Sequence, residues 1–507
     1  MKTTLTFSVL IITVLSVFSK LLGFLRETVV AYYFGTTQEA DIFFLVFGLF
    51  SFITSAIGIS LGVSFLPVFI KERSQRGDLY ANQLAFRFIT QLFFLFIPIL
   101  ISLLIFSDDV ARMIAPSFSA KDIEKVSDYI RKLSSVGYFI ISSYVFFDIL
   151  NAYKKYGIRQ LTGMLFSVIS IIFLLLFSDT WGIKALIYSA IIAYLLQFAI
   201  VALVVFSGKV ALPTLNFFSF HGMRETYGSI IPVLLGTGVW YFRNAIDRVI
   251  ATGLDVGSIS ALNYSGTLFS LINTIVIASI VTVFYTEFSH QYNEKKMEDV
   301  SNTLNKGIVS LSMILCPIMV VSIVEAKDII TILFLRGEFK QESVYLTSIT
   351  FSLYLLGTPF YAMRDILTRF CYAIDQKRIS VRNSIIAVLC NIPLSYIFSK
   401  YWGAGGITLA SAFVSIILTG MLYFEVKRKC KFLKFENIRY SMLKIFIATI
   451  VCAILGYLLV TVLFEVNVPV LRFMIITIIV GITYLLLLYA LRLKELSLVF
   501  RKLHIKL

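Results

Sequence analysis

Histidine is nearly missing from this chain, with three in 507 residues, and the five cysteines include no CxxC pair. Cys316, Cys371, Cys390, Cys430 and Cys452 lie in or beside apolar runs, so neither a disulfide framework nor a zinc site is indicated. No loop is long enough for a nucleotide-sugar domain, and no Gly-rich phosphate-cradling motif occurs. Those two absences remove the membrane glycosyltransferase class. The first apolar run lacks a small-residue cleavage site and continues into a charged helix, so it is expected to stay as the first helix.

What the chain has in abundance is apolar sequence. Hydrophobic residues make up 58%, 47 residues are Phe, and the mean hydropathy is +0.89. Fourteen apolar stretches, most close to twenty residues, run from Leu5 to about Leu491. A hydrocarbon core about 30 Å thick needs roughly 20 apolar residues of helix. The stretches are continuously apolar rather than alternating, which selects helices over barrel strands. The expected fold is therefore an all-α polytopic membrane protein with about fourteen transmembrane helices.

The net charge of +16 would suggest nucleic acid in a soluble protein, but here the charges gather on alternate loops. With the N-terminus taken as cytoplasmic, the even loops carry Lys71, Arg73 and Arg76, then Lys154, Lys155 and Arg159, then Lys295 and Lys296. Lys377, Arg378 and Arg382 follow, and then the run Lys427 to Lys434. The odd loops are short and nearly free of Lys or Arg, so both termini are expected in the cytoplasm and no nucleic-acid partner is expected. One odd loop, Ser107 to Lys132, mixes both signs and reads as an amphipathic external helix.

The runs divide into a six-helix N-terminal lobe over 1–206, an amphipathic connector over 207–225, and a second six-helix lobe over 226–428. A basic linker over 429–444, two extra helices over 445–491 and a tail over 492–507 complete the chain. Arg26-Glu27, Gly35 and Asp41 in the first lobe are matched by Asp247-Arg248, Gly253 and Ser260 to Asn263 in the second, which suggests a parallel duplication. Pro232, Pro317, Pro359 and Pro393 inside spans are expected to mark kinks.

A charge inside a span costs several kcal/mol unless it faces protein or water. In the first helix a step of about 100° per residue puts Lys20, Gly23, Arg26 and Glu27 within a third of the circumference. The seventh helix repeats the pattern with Arg243 and Asp247 four apart and Arg248 beside them, and Asp41 heads the second helix. Asp148, and the group Arg364, Asp365 and Arg369, read as interfacial charges or ion pairs.

The segment SKLLGFLRETVVAYYFGTTQEADIFF over Ser19 to Phe44 resembles the N-terminal signature of the MurJ/MviN family of lipid II flippases. FLPVF at Phe65 to Phe69, DRVIA at Asp247 to Ala251, SISALNY at Ser258 to Tyr264, LRGEF at Leu335 to Phe339 and LTRFCYA at Leu367 to Ala373 extend the resemblance in order. That family belongs to the multidrug/oligosaccharidyl-lipid/polysaccharide exporter superfamily. The resemblance implies two six-helix lobes in a V around a central cationic cavity, with two C-terminal helices beside them. It implies a multi-pass protein of the bacterial cytoplasmic membrane, monomeric, moving a lipid-linked glycan among membrane lipids. The family's first-helix bases and acid fall on Lys20, Arg26 and Glu27, and its second-helix acid falls on Asp41. The expected pyrophosphate ligands are Lys20 and Arg26, with Arg243 and Arg248 of the seventh helix compensating for missing family arginines, and Glu27, Asp41 and Asp247 are the expected gating or ion-pair acids. No metal and no cofactor is expected, with coupling to a monovalent cation or to the membrane potential left open.

Three readings follow: a flippase for the peptidoglycan precursor lipid II, a flippase for another lipid-linked glycan such as an O-antigen, capsule or exopolysaccharide unit, and a cation-coupled drug antiporter. The second arises because family arginine positions fall on Thr54, Ser55 and Thr267, and a family acid falls near Ile59. Against the third, the candidate cavity charges are mostly basic rather than acidic.

Overall fold

The computed structural model describes residues 2–155, 157–208, 219, 223–434, 436–463, 468–493 and 495–496. Among the described residues the secondary structure is helical, without a strand. Contacts group the chain into two compact units, Met1–Ser260 and Ala261–Leu507.

The first unit opens with α1 (Lys2–Phe34) and α2 (Gln38–Ile105). Thr37 caps α2 by accepting from the Ala40 amide at 3.4 Å. The 68 residues of α2 make two limbs, because Gly77 at φ 83° breaks the helix where a residue with a Cβ would be strained. Those limbs are the second and third expected spans. Next come α3 (Ser107–Ile114) and α4 (Ala120–Ala152). The single external helix expected over Ser107 to Lys132 is thus corrected to a short helix and the first turns of a long one. Pro116 disfavours a helical Ala115, and Ser119 starts α4 by accepting from the Asp122 amide at 3.2 Å. The unit continues through α5 (Gly157–Gly163), α6 (Leu165–Trp181), α7 (Lys184–Ser207) and α8 (Arg224–Ala251).

The connector expected over 207–225 falls largely on 209–218 and 220–222, outside the described residues, as does the tail beyond Leu496. Compactness assigns α8 to the first unit because its side chains hold α2 at both ends. Tyr227 donates to Gln91, Glu225 meets Lys71 at 3.2 Å, and Arg248 reaches the Phe44 carbonyl. The core of this unit is aromatic. Phe65 stacks on Phe88 with centroids 4.3 Å apart, among Phe69, Phe146 and Leu150.

The second unit carries α9 (Ser258–Ile272), a π-helical turn (Asn273–Ile277) and α10 (Ala278–Asn293), which together form one apolar span. α11 (Met297–Val324) and α12 (Ala326–Phe334) are separated by Glu325. α13 (Gln341–Leu355) gives way to α14 (Thr358–Ala373), where Pro359 begins a helix instead of kinking one. α15 (Lys377–Lys429) is broken at Gly403, φ 56°, into two limbs, with Pro393 in the first. α16 (Glu436–Val462) and α17 (Pro469–Ala490) end the chain's long helices. Their core joins α10, α11, α14, α16 and α17 around Phe288, Leu311, Phe370 and Tyr484.

Nine helices among the described residues are long and apolar enough to cross a membrane. Their outward side chains, including Leu176, Leu203, Phe446 and Leu486, are more than 60% exposed. Water would not tolerate such a surface, whereas lipid does. The protein is a multi-pass membrane protein.

Candidate functional site

The first-helix stripe exists in the structure as a graded set. Lys20 is exposed, Arg26 is about one-sixth exposed and Glu27 is buried. A Cβ built on Gly23 would meet nothing within 4 Å, so the stripe borders open space on that face. Arg26 forms an ion pair with Glu27 and lies 4.3 Å from the Phe166 ring centroid. Phe166 belongs to an aromatic wall with Phe47 and Tyr194, at centroid spacings of 5.0 Å and 5.3 Å. A guanidinium against aromatic faces keeps its charge while shedding water, and its remaining donors suit a phosphate oxygen.

α8 brings the second set. Arg248 donates from Nη1 to the Phe44 carbonyl at 2.6 Å and sits 5.1 Å from the Phe52 ring centroid. It enters through a notch at Gly48, where a Cβ would stand 2.6 Å from the Arg248 Cζ. Glu27 and Asp41 supply the opposite charge around it. Arg26, Glu27, Asp41 and Arg248, from α1, α2 and α8, therefore form one electrostatic cluster inside the first unit, with Lys20 beside Arg26. Arg243, one turn earlier, donates to Asn244 at 3.1 Å, and Asp247 is buried.

Asp41 has a specific structural task. Its Oδ2 accepts from the Gly257 amide at 2.7 Å, and its Oδ1 accepts from the Ser260 amide at 2.7 Å and from the Ser260 hydroxyl. This caps the start of α9, where unpaired amides and the helix dipole favour a carboxylate.

The contact between the first limb of α2 and α4 is not legible in the sequence. Gly58 and Gly62 of α2 receive Tyr144 and Asp148 of α4, with a built Cβ only 2.5 Å and 1.6 Å from those side chains. Tyr144 donates to Ser55 at 3.3 Å and carries Arg159 over its ring at 4.9 Å. Thr54, by contrast, is buried, donates to the Phe50 carbonyl at 2.6 Å and faces Gly137. An arginine at residue 54 has no room. Nothing in a single sequence marks which of many aromatics or glycines will do this.

In the second unit Arg369 lies 3.8 Å from Asp365 as a partly exposed pair, and Arg364 lies 5.3 Å from the Tyr361 ring centroid. Among the described residues no group of three or more His, Cys, Asp or Glu could hold a metal ion.

The sequence profile of the family described as "Lipid II flippase MurJ" matches residues 30–478. A probable lipid II flippase MurJ from Buchnera aphidicola subsp. Schizaphis graminum is 24% identical over 428 residues, covering 83% of each chain. Its counterpart from Borreliella burgdorferi is 22% identical over 449 residues, covering 86% of each. Among solved structures, a lipid II flippase MurJ in an inward closed conformation superposes with a TM-score of 0.78 at 21% identity, covering 97% of this chain and 99% of that one. An inward-facing MATE-family multidrug resistance transporter of the MOP superfamily gives a TM-score of 0.66 at 16% identity, covering 81% and 94%.

Proposed function

Because the chain belongs to the MurJ family, we propose that it translocates lipid II, the undecaprenyl-pyrophosphate-linked peptidoglycan precursor, across the bacterial cytoplasmic membrane by alternating access. It is a transporter and performs no covalent chemistry. The observation that carries the cargo reading is Arg26, a guanidinium held against Phe166 on a polar stripe that borders open space at Gly23. A pyrophosphate crossing a low-dielectric layer needs such donors to replace its hydration. Lys20 and Arg26 are the first contacts in this reading, with Arg243 beside Asn244 as a further donor.

The reading includes a monomer with both termini in the cytoplasm, supported by the loop charges. It needs no cofactor. The membrane potential, worth about 2.3 kcal/mol per charge per 100 mV, biases the cycle through the charges of cargo and protein.

A second cargo, another lipid-linked glycan, is favoured by one observation: Thr54, at a family arginine position, is packed against Gly137 and engaged with the Phe50 carbonyl. Complementation of a bacterium depleted of its own MurJ separates the two. Rescue by the wild-type chain but not by a correctly inserted Arg26→Ala chain supports lipid II flipping through the first-helix cation. Failure of well-expressed wild type, with rescue gained by Thr267→Arg, moves the cargo to the other glycan class.

A further inference from the structure

The junction between α11 and α12 holds an acid that the transport reading does not use. Glu325 is 1% exposed, and neither of its carboxyl oxygens accepts a hydrogen bond. Three residues on, Asp328 is also buried and pairs through both oxygens with Nε and Nη2 of Arg472, in the first turn of α17.

Among the described residues no other charge approaches from the packed elements. α11 has no charged residue between Gly307 and Val324, and its one cysteine there, Cys316, is buried. α16 meets the end of α11 at Gly456, whose built Cβ lies 3.3 Å from Val324, and Ala448 to Val462 contains no charged residue. Lys327 of α12, with Glu342 and Tyr345 of α13, is exposed.

Two buried carboxyl groups therefore share one guanidinium. With a proton on Glu325 the set is neutral, and the Glu325 hydroxyl can donate to Asp328. Without it, two carboxylates face each other with one countercharge in a water-poor site, a situation relieved only by hydration. Hydrating Glu325 means parting α17 from α12.

We propose that Glu325, Asp328 and Arg472 form a proton-binding site that latches α17 to the α11–α12 junction, closed with the proton bound and loosened when it leaves. Burial, and then the charge of Asp328, push the Glu325 carboxyl up to about 7, just past the end of the α11 span. A raised acid is held protonated by the packed state, so the latch is complete at low pH and is lost as pH rises through that value.

Amide hydrogen exchange of residues 468–476 in the full chain, reconstituted in nanodiscs and followed from pH 5.5 to 8.5, tests this without any use of transport. Glu325→Gln keeps the shape and removes the titration, so the ratio of wild-type to variant exchange cancels the intrinsic effect of pH. The expected ratio is near one at the acid end and rises tenfold or more at the alkaline end. Asp328→Asn, which leaves Glu325 as the partner of Arg472, should also abolish the step. A constant ratio, or a step that persists in Asp328→Asn, overturns the proposal.

Discussion

Arg248 of α8 donates to the main-chain oxygen of Phe44 on α2 at 2.6 Å, through a gap that exists because residue 48 is glycine. From its sequence position Arg248 is expected to be a phosphate ligand. The geometry adds a second role, the anchoring of one helix to the backbone of another. A charge-assisted hydrogen bond of this kind contributes about 1.5–3 kcal/mol. Arg248→Ala should lower the apparent melting temperature of the purified protein. Arg248→Lys should recover only part of the loss, because an ammonium lacks the planar fork. Equal melting of all three chains would dismiss the anchor.

Asp41 accepts three hydrogen bonds at the start of α9, so its replacement is expected to act on stability before transport. Asp41→Ala should cost about 1–2 kcal/mol through the lost cap, and Asp41→Asn less, since the amide oxygen still accepts. Thermal unfolding of the two variants in one detergent gives the order directly.

Gly406 admits no side chain. A Cβ there would lie 2.1 Å from the Phe398 carbonyl oxygen, a backbone atom that cannot rotate away. Gly406→Ala should destabilise by about 1–3 kcal/mol, the range for forced overpacking. Gly266→Ala, whose Cβ would meet nothing within 4 Å, serves as the control and should fold as wild type.

The raised Glu325 carboxyl makes a stability prediction of definite sign. Its ordinary value is 4.5 and its value in the packed protein is about 7, so the unfolded chain releases this proton first. Stability should fall as pH climbs between those values and then level off. Glu325→Gln should therefore match wild type near pH 4.5 and exceed it in stability at pH 8. Melting curves across that interval decide it, and a variant less stable than wild type at pH 8 would refute the sign.

Apolar run length was enough to locate the spans, since it is the bilayer that sets helix length. α2 and α15 each divide into two limbs, at Gly77 and Gly403, where glycine adopts positive φ. Periodicity likewise put Lys20, Gly23, Arg26 and Glu27 on one face of α1. It could not show that Phe166 would stand against Arg26, that Asp328 would pair with Arg472 from 144 positions away, or that Asp41 would cap α9. Those pairings depend on tertiary packing, which a helix wheel does not contain. Pro116 marks the break between α3 and α4 in the sequence itself.

The interlock of Gly58 and Gly62 with Tyr144 and Asp148 has a mechanical consequence. Both partners are spaced four apart, so α4 engages α2 like a rack with a tooth at each turn. Sliding by a fraction of a turn drives Tyr144 or Asp148 into the backbone of α2, and the next seat lies about 5.4 Å away. The α2–α4 pair must therefore travel as one rigid strut.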